Sequence, residues 1–471
     1  MLKVMENTNS ITKRGSWTGS IGFILAAAGS AVGLGNIWRF PYLAAKNGGG
    51  VFLLCYIVLV LTFGTALLTT EIAIGRKTGQ GPLTAYKKLH NKFTGLGILA
   101  CIVPAIIIPY YCAIGGWVLK YLVTFITGNG AAATADSYFG GFITSQWSPI
   151  VYMAIFLAIC AVIYFLGVEK GIENSSKILM PILFILVVVI SIFSLTLKVP
   201  AENGTVRTGL QGLKIYLLPN FKGMSAKTFF TIFLDAVGQL FYSISVAMGI
   251  MIAYGSYVPK DVDLPKSVKS IEFFDTLVAM LAGMMIIPAV YAFSDVQGMN
   301  AGPGLIFVSL PKIFMQMGKI GPVIAVLFFV LVLFAAVTSC VSIAEAIISS
   351  ICDRFKVSRK NSCAVTTIYT LIVGTIICLG YNIFYFDLKL PNGAIGQLLD
   401  VFDYASNNVL MPIVAIITCI LVGWVIKPKT IIEELEQGTD KKYKGTLYVV
   451  MVKFVVPVIL AFLLIQAFIK F

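Results

Sequence analysis

A helix needs roughly 20 apolar residues to cross a bilayer, and this sequence meets that demand about eleven times. The apolar runs lie near 18–43, 50–75, 96–126, 148–166, 178–197, 229–257, 268–294, 320–352, 363–381, 398–426 and 446–469. Stretches 148–166 and 178–197 contain no Asp, Glu, Lys or Arg at all. Hydrocarbon offers no water to backbone N–H and C=O groups, so spanning segments take the helix, which satisfies them internally. A β-barrel is excluded because its strands alternate apolar and polar residues. The expected fold is therefore all-α and polytopic, with about 11 transmembrane helices. Only 12% of residues are charged, against about 25% in soluble domains, which excludes a soluble enzyme and a disordered chain.

The net charge of +14 sits in short loops between apolar runs. It reads as orientation in the cell membrane and not as a nucleic-acid surface. With the N-terminus inside, the cytoplasmic loops hold Arg76, Lys77, Lys87, Lys88 and Lys92, and later Arg354, Lys356, Arg359 and Lys360. Loop 127–147 has no Lys or Arg, whereas the longer outer segment 198–228 has five. An odd number of spans places the C-terminus outside. The polar, basic start of the chain reads as a cytoplasmic tail over 1–17. Nine cysteines without a CxxC pair and a single His90 suggest no metal cluster and no disulfide framework.

Two runs are broken by small residues at mid-membrane depth. The first, AAAGSAVGLGNIWRFP, carries Gly29, Ser30, Gly33, Gly35 and Asn36; the sixth, AVGQLFYSISVAMGIM, carries Gln239, Ser243, Ser245 and Gly249. Glycine costs about 1 kcal/mol in a helix interior, and irregular backbone at that depth is tolerated only where it lines a cavity. The alternative is close helix packing through small residues. Two such breaks five spans apart favour a 5+5 inverted repeat with broken helices one and six. The domain map is then a first repeat at 18–197, an outer loop at 198–228 and a second repeat at 229–426. A cytoplasmic loop at 427–445 and an eleventh helix at 446–471 follow. Segment 302–317, broken by Pro303 and Pro311, is too short to span; it reads as a hairpin on the outer face, or else as a surface loop.

These residues resemble the neurotransmitter:sodium symporter family, with the fold of the bacterial leucine transporter. The resemblance covers nearly the whole chain. It is carried by GSAVGLGNIWRFPYLAAKNGGG (29–50), Glu71 in TEIAIGR, PYYCAIGGW (109–117), AVGQLFYSISVAMG (236–249), GPGLIFVSLP (302–311), FAAVTSCVSIAEA (334–346) and LLDVFDY (398–404). It implies two Na⁺ sites. One would use the carbonyl of Ala31 with Asn36, Ser243, Asp275 and the substrate carboxylate. The other would use the carbonyls of Gly29, Val32 and Ala335 with the hydroxyls of Thr338 and Ser339. Asp275 stands where the leucine transporter has an amide, and Ala279 where animal relatives have a chloride-binding serine. A carboxylate within the span costs about 2.5–3.5 kcal/mol, so it should face a polar interior, unless the span starts later and Asp275 sits among cytoplasmic headgroups. We expect it to replace the charge of chloride, leaving transport chloride-independent.

Gly33 stands where amine-transporting relatives have an Asp, so the acidic group must come from the substrate, which fits a free amino acid. The resemblance places its carboxylate near the Gly35 amide and the Tyr111 hydroxyl. Its ammonium would meet carbonyls around Ala31, Tyr242 and Ser245. The side-chain pocket would be lined by Ile107, Tyr111, Tyr242, Met248, Ser339 and Ile343, apolar enough for a bulky hydrophobic or aromatic substrate. Arg39 and Asp403, with Tyr242 beneath, would form an outer gate. Arg14 and Trp17 would close the inner side, with Arg14 on Asp353 and with Tyr257 and Glu345 nearby. Gly171 and Pro181 frame an interval that resembles a family feature for helix unwinding. Glu71 is expected to hydrogen-bond the broken first helix.

The combined reading is a sodium-coupled symporter, not an enzyme, with the lipid bilayer and an amino acid as its partners and no obligate protein partner evident. A non-transporting sensor on the same fold is the alternative. An ion channel would need repeated polar rings, and no GxxxxGK[ST] supports ATP-driven pumping.

Overall fold

The computed structural model describes residues 15–200, 205–294, 302–440, 442–443 and 445–469. Arg14 and the rest of the tail lie outside the described residues. Among the described residues nine uninterrupted helical segments are long and apolar enough to cross a membrane. They are Gly50–Thr78, Asn91–Ile126, Ser148–Phe165, Val168–Thr196, Leu264–Ser294, Gly318–Phe355, Arg359–Leu379, Leu398–Val425 and Thr446–Phe468. A further crossing is made by Ser20–Ala31 and Gly35–Lys46, bent by 55°. Helices Ala226–Ser243 and Ile250–Gly255 flank residues 244–249; taken as one broken crossing, they complete the eleven expected spans.

The two breaks have different local causes. The first helix ends at Ala31 because Val32 turns extended, and helical winding resumes as a π turn over Gly35–Arg39. In the sixth span Ser245, Ala247 and Gly249 all take left-handed backbone, with φ of 54°, 60° and 70°. For residues bearing a Cβ this costs about 1–2 kcal/mol each, so the segment needs outside support. Glu71 supplies it: the Ala247 amide donates to Glu71 Oε1 at 2.6 Å. The expectation that Glu71 braces the first helix is thus corrected. The reason is that the second span lies backbone-to-backbone on the sixth. A Cβ on Gly75 would fall 2.1 Å from the Ile252 carbonyl, and one on Gly255 2.3 Å from that of Ile72. That contact aims Glu71, one turn before Gly75, at the sixth-span break.

Other boundaries shift modestly. The fifth span begins at Val168 and not near 178, because a π turn over Val168–Glu173 carries the charged residues into the helix. The interval between Gly171 and Pro181 is helical throughout. The described part of 302–317 is a single helix, Leu305–Gln316, and not a hairpin. Pro311 sits inside this helix and cannot donate to the Phe307 carbonyl four residues back; the Tyr121 hydroxyl donates to that carbonyl instead, at 2.7 Å. Phe307 packs on Trp117 and Tyr121, and Phe314 on Phe125, fixing this helix across the end of the third span. Strands Lys198–Pro200 and Val206–Thr208 pair antiparallel outside the helical body.

Candidate transport site

Both breaks open onto one small cavity of about 30 Å³. Its wall takes Ser30, Ala31, Gly33, Gly35 and Asn36 from the first break and Tyr242, Ser243, Ser245 and Met248 from the sixth. Ile107 and Tyr111 come from the third span, and Ser339 and Ile343 from the eighth. Every residue expected around the substrate is among them, and Ser30 and Asn36 are additions. The cavity holds little more than water, one of which needs about 10–15 Å³, so a larger guest requires the lining to move. Met248, an unbranched thioether, is well suited to that.

On one side Asn36, Ser243 and Asp275 meet. The Asn36 amide donates to Asp275 Oδ1 at 2.8 Å. The Ser243 hydroxyl donates to the same carboxylate, 2.9 Å from Oδ1 and 3.1 Å from Oδ2. Asn36 Oδ1 in turn accepts the Gly33 amide at 3.1 Å, tying the side chain to the break. Asp275 is 0% exposed, so it faces a polar interior and not the headgroups. Its neighbour one turn earlier, Glu272, takes the Thr65 hydroxyl at 2.9 Å instead.

On the other side Ser339 reaches the opened end of the first helix. Its hydroxyl lies 3.1 Å from the Ser30 carbonyl, 3.4 Å from that of Val32 and 3.5 Å from that of Gly29. Thr338 faces Gly29 closely enough that a Cβ there would stand 3.3 Å from its own, and its hydroxyl donates to the Ala335 carbonyl at 3.1 Å. Ser339 and Thr338 thus face Gly29 and Val32 across the bundle, and Ala335 joins them through the Thr338 hydroxyl. Ser30, which the sequence reading left without a role, joins them and also receives the Ser245 hydroxyl at 3.0 Å.

Among the described residues, the buried Tyr111 hydroxyl has no hydrogen-bond partner within normal geometry. A buried hydroxyl left unpaired costs about 1–3 kcal/mol, so this group is poised for a polar guest. The glycines set how near such a guest comes. A Cβ on Gly33 would lie 2.9 Å from Ser339 Oγ, and one on Gly35 2.8 Å from the Tyr242 ring. Gly35→Ala should therefore displace Tyr242 and weaken substrate binding by about tenfold or more, read by equilibrium binding of labelled substrate. Unchanged affinity would remove Tyr242 from the lid of the site.

Of the contacts expected at the gates, one is not made among the described residues. Arg39 does not pair with Asp403; its guanidinium lies 5.6 Å over the Tyr242 ring. Asp403 accepts the Asn407 amide at 2.6 Å. A cavity of about 220 Å³ borders Arg39, Tyr242 and Asn407. At the expected inner gate Trp17 is buried, its indole N–H donating to the Tyr254 carbonyl at 3.0 Å. Arg14, the expected partner of Asp353, lies outside the described residues; the Gly81 amide donates to Asp353 at 2.6 Å. The Tyr257 hydroxyl donates to Glu345 at 2.7 Å. Glu345 also holds Arg359 through two bonds of 2.8 and 2.6 Å. The sequence reading took Arg359 only as an orientation charge, since nothing in its spacing from Glu345 signals contact.

The family model described as the sodium:neurotransmitter symporter family matches residues 14–140 and 143–471. The chain belongs to the sodium:neurotransmitter symporter family. Its similar relatives include a sodium-dependent transporter, YhdH, of Bacillus subtilis, 33% identical over 95% of this chain and 96% of that one. The human sodium- and chloride-dependent GABA transporter 2 is 25% identical over 90% of this chain and 75% of its own length. The crystal structure of MhsT in complex with L-phenylalanine matches with a TM-score of 0.83 at 33% identity, covering 97% of this chain and all of that one. The symporter family thus accounts for the multi-pass helical fold and its paired helix breaks. It is a family of transporters rather than enzymes.

Proposed function

We propose that this symporter imports a bulky apolar or aromatic amino acid together with two sodium ions by alternating access, without chloride. The observation that carries the reading is the meeting of both helix breaks at one cavity, between the Asn36–Ser243–Asp275 cluster and the Ser339–carbonyl cluster. Oxygen-rich, charge-poor groups of this kind suit a hard monovalent cation. At the first site Asn36, Ser243, Asp275 and the Ala31 carbonyl hold one ion, and the substrate carboxylate completes its shell. The second ion takes the carbonyls of Gly29, Val32 and Ala335 with Thr338 and Ser339.

Tyr111 and the Gly35 amide receive the rest of the carboxylate, and carbonyls around Ala31, Tyr242 and Ser245 the ammonium. Ile107, Met248 and Ile343 accept the side chain; the L-phenylalanine held by MhsT supports this size class. Sharing a carboxylate makes ion and substrate binding mutually reinforcing, by typically 5–150-fold (about 1–3 kcal/mol). Asp275 places a fixed negative charge beside the first ion, which is the role chloride would otherwise fill. The N-terminus faces the cytoplasm and the C-terminus the outside, as the basic inner loops favour.

A binding screen of the twenty amino acids in NaCl against KCl tests the reading. Phenylalanine, leucine or a similar side chain should bind at least about fivefold tighter in NaCl. Proteoliposomes should accumulate it only under an inward sodium gradient. Replacing chloride by gluconate should leave uptake unchanged; a collapse of uptake would overturn the role given to Asp275.

A further inference from the structure

The helix Ser20–Ala31 begins without a side-chain cap from its own N-cap residue, Gly19. Its start is instead tied to the fifth span. Glu173 is 0% exposed, and its Oε2 accepts the Thr18 amide at 3.0 Å. Its Oε1 takes the Thr18 hydroxyl and lies 2.7 Å from Lys177 Nζ. Gly22, one turn into the helix, is needed for this: a Cβ there would stand 2.1 Å from Glu173 Oε1. Glu173 closes the π turn Val168–Glu173, which follows Gly167 at φ 95°. Single π turns are frequent at functional sites.

We infer that Glu173 is a releasable tether, a positioning residue that holds the N-terminal half of the first span shut against the fifth. The inference rests on the alternating-access reading above, in which that half-helix carries one wall of both ion sites and must move for release. A carboxylate suits the task better than a neutral cap. In the closed state it makes charge-assisted bonds to a helix start, where negative charge is favoured. Lys177 is 40% exposed on its side chain, so the pair can swing toward water without stranding a charge. Rewinding or loosening of the π turn moves Glu173 directly and frees Thr18, which couples the shape of the fifth span to the first. Trp17, bonded to Tyr254 on the sixth span, is the second tether and acts from a different element.

Hydrogen–deuterium exchange on the full chain in nanodiscs tests this. Glu173→Ala should accelerate exchange over 18–28 by about tenfold, while 50–78 and 398–425 stay within about twofold of the parent. Gly22→Ala, which evicts Glu173 without touching its carboxylate, should reproduce the pattern and carries the test if Glu173→Ala does not fold. Glu173→Gln keeps an acceptor for the Thr18 amide and should fall between. Unchanged exchange over 18–28, or equal acceleration in all spans, would overturn the tether. The readout uses neither substrate nor uptake. A chain that fails to transport yet shows the local acceleration would count against the proposed function and still support the tether.

Discussion

Replacing Asp275 with alanine is expected to abolish sodium-dependent amino-acid binding, the largest single effect in this protein. The carboxylate is fully buried and is the shared acceptor for Asn36 and Ser243. Its removal strips the proposed first ion site of its fixed charge and takes the carboxylate partner from Asn36 and Ser243. Glu272 cannot substitute, because it is committed to Thr65 on the second span. The loss should exceed about 100-fold in the sodium midpoint, the upper range of coupling between linked sites. Titrating NaCl against labelled phenylalanine binding measures it. Asp275→Asn keeps the shape but not the charge; it should recover part of the binding only when chloride is present. A normal sodium midpoint in Asp275→Ala would remove this residue from the ion site.

Arg359→Ala should give a large loss of stability. Glu345 is 0% exposed on its side chain, while Arg359, which holds it through two bonds, is 26% exposed. Deleting the arginine leaves a buried carboxylate with only the Tyr257 hydroxyl. Breaking a buried pair from one side costs about 3–5 kcal/mol, and the partial exposure of Arg359 puts the expected value near the low end. The mechanism is uncompensated charge, so Arg359→Ala with Glu345→Gln should recover most of the loss, and Glu345→Gln alone should cost less than Arg359→Ala. Thermal unfolding in detergent, compared across the three variants, checks the order. Equal losses in the single and double variants would mean that packing, not charge, holds this corner.

Much of this architecture is legible before any coordinates. The spans follow from uninterrupted apolar stretches, because a bilayer leaves the backbone no other way to satisfy its hydrogen bonds. The helix breaks announce themselves because Gly, Ser and Asn at mid-depth are costly unless they line something. Thr338 and Ser339 were the weaker clue, since hydroxyls in such helices commonly bond their own backbone, as Thr338 does to Phe334. Their meaning comes from facing Gly29 and Val32 across the bundle.

What the linear chain determined by itself is therefore what depends on local composition: helices, breaks, and the absence of charge from the pocket. What only the tertiary structure decided is which distant polar groups meet. Glu71 serves the sixth span and not the first because Gly75 and Gly255 bring two backbones together. Arg359 serves Glu345, Glu173 serves Thr18, and Arg76, buried on the second span, serves Glu434 at 2.8 Å in a loop that reads as plain cytoplasmic connection. Arg39 stacks on Tyr242 while Asp403 turns to Asn407. A charge on a sequence carries no direction; its partner is set by helix rotation and by which glycines permit close approach, and those are properties of the packed bundle.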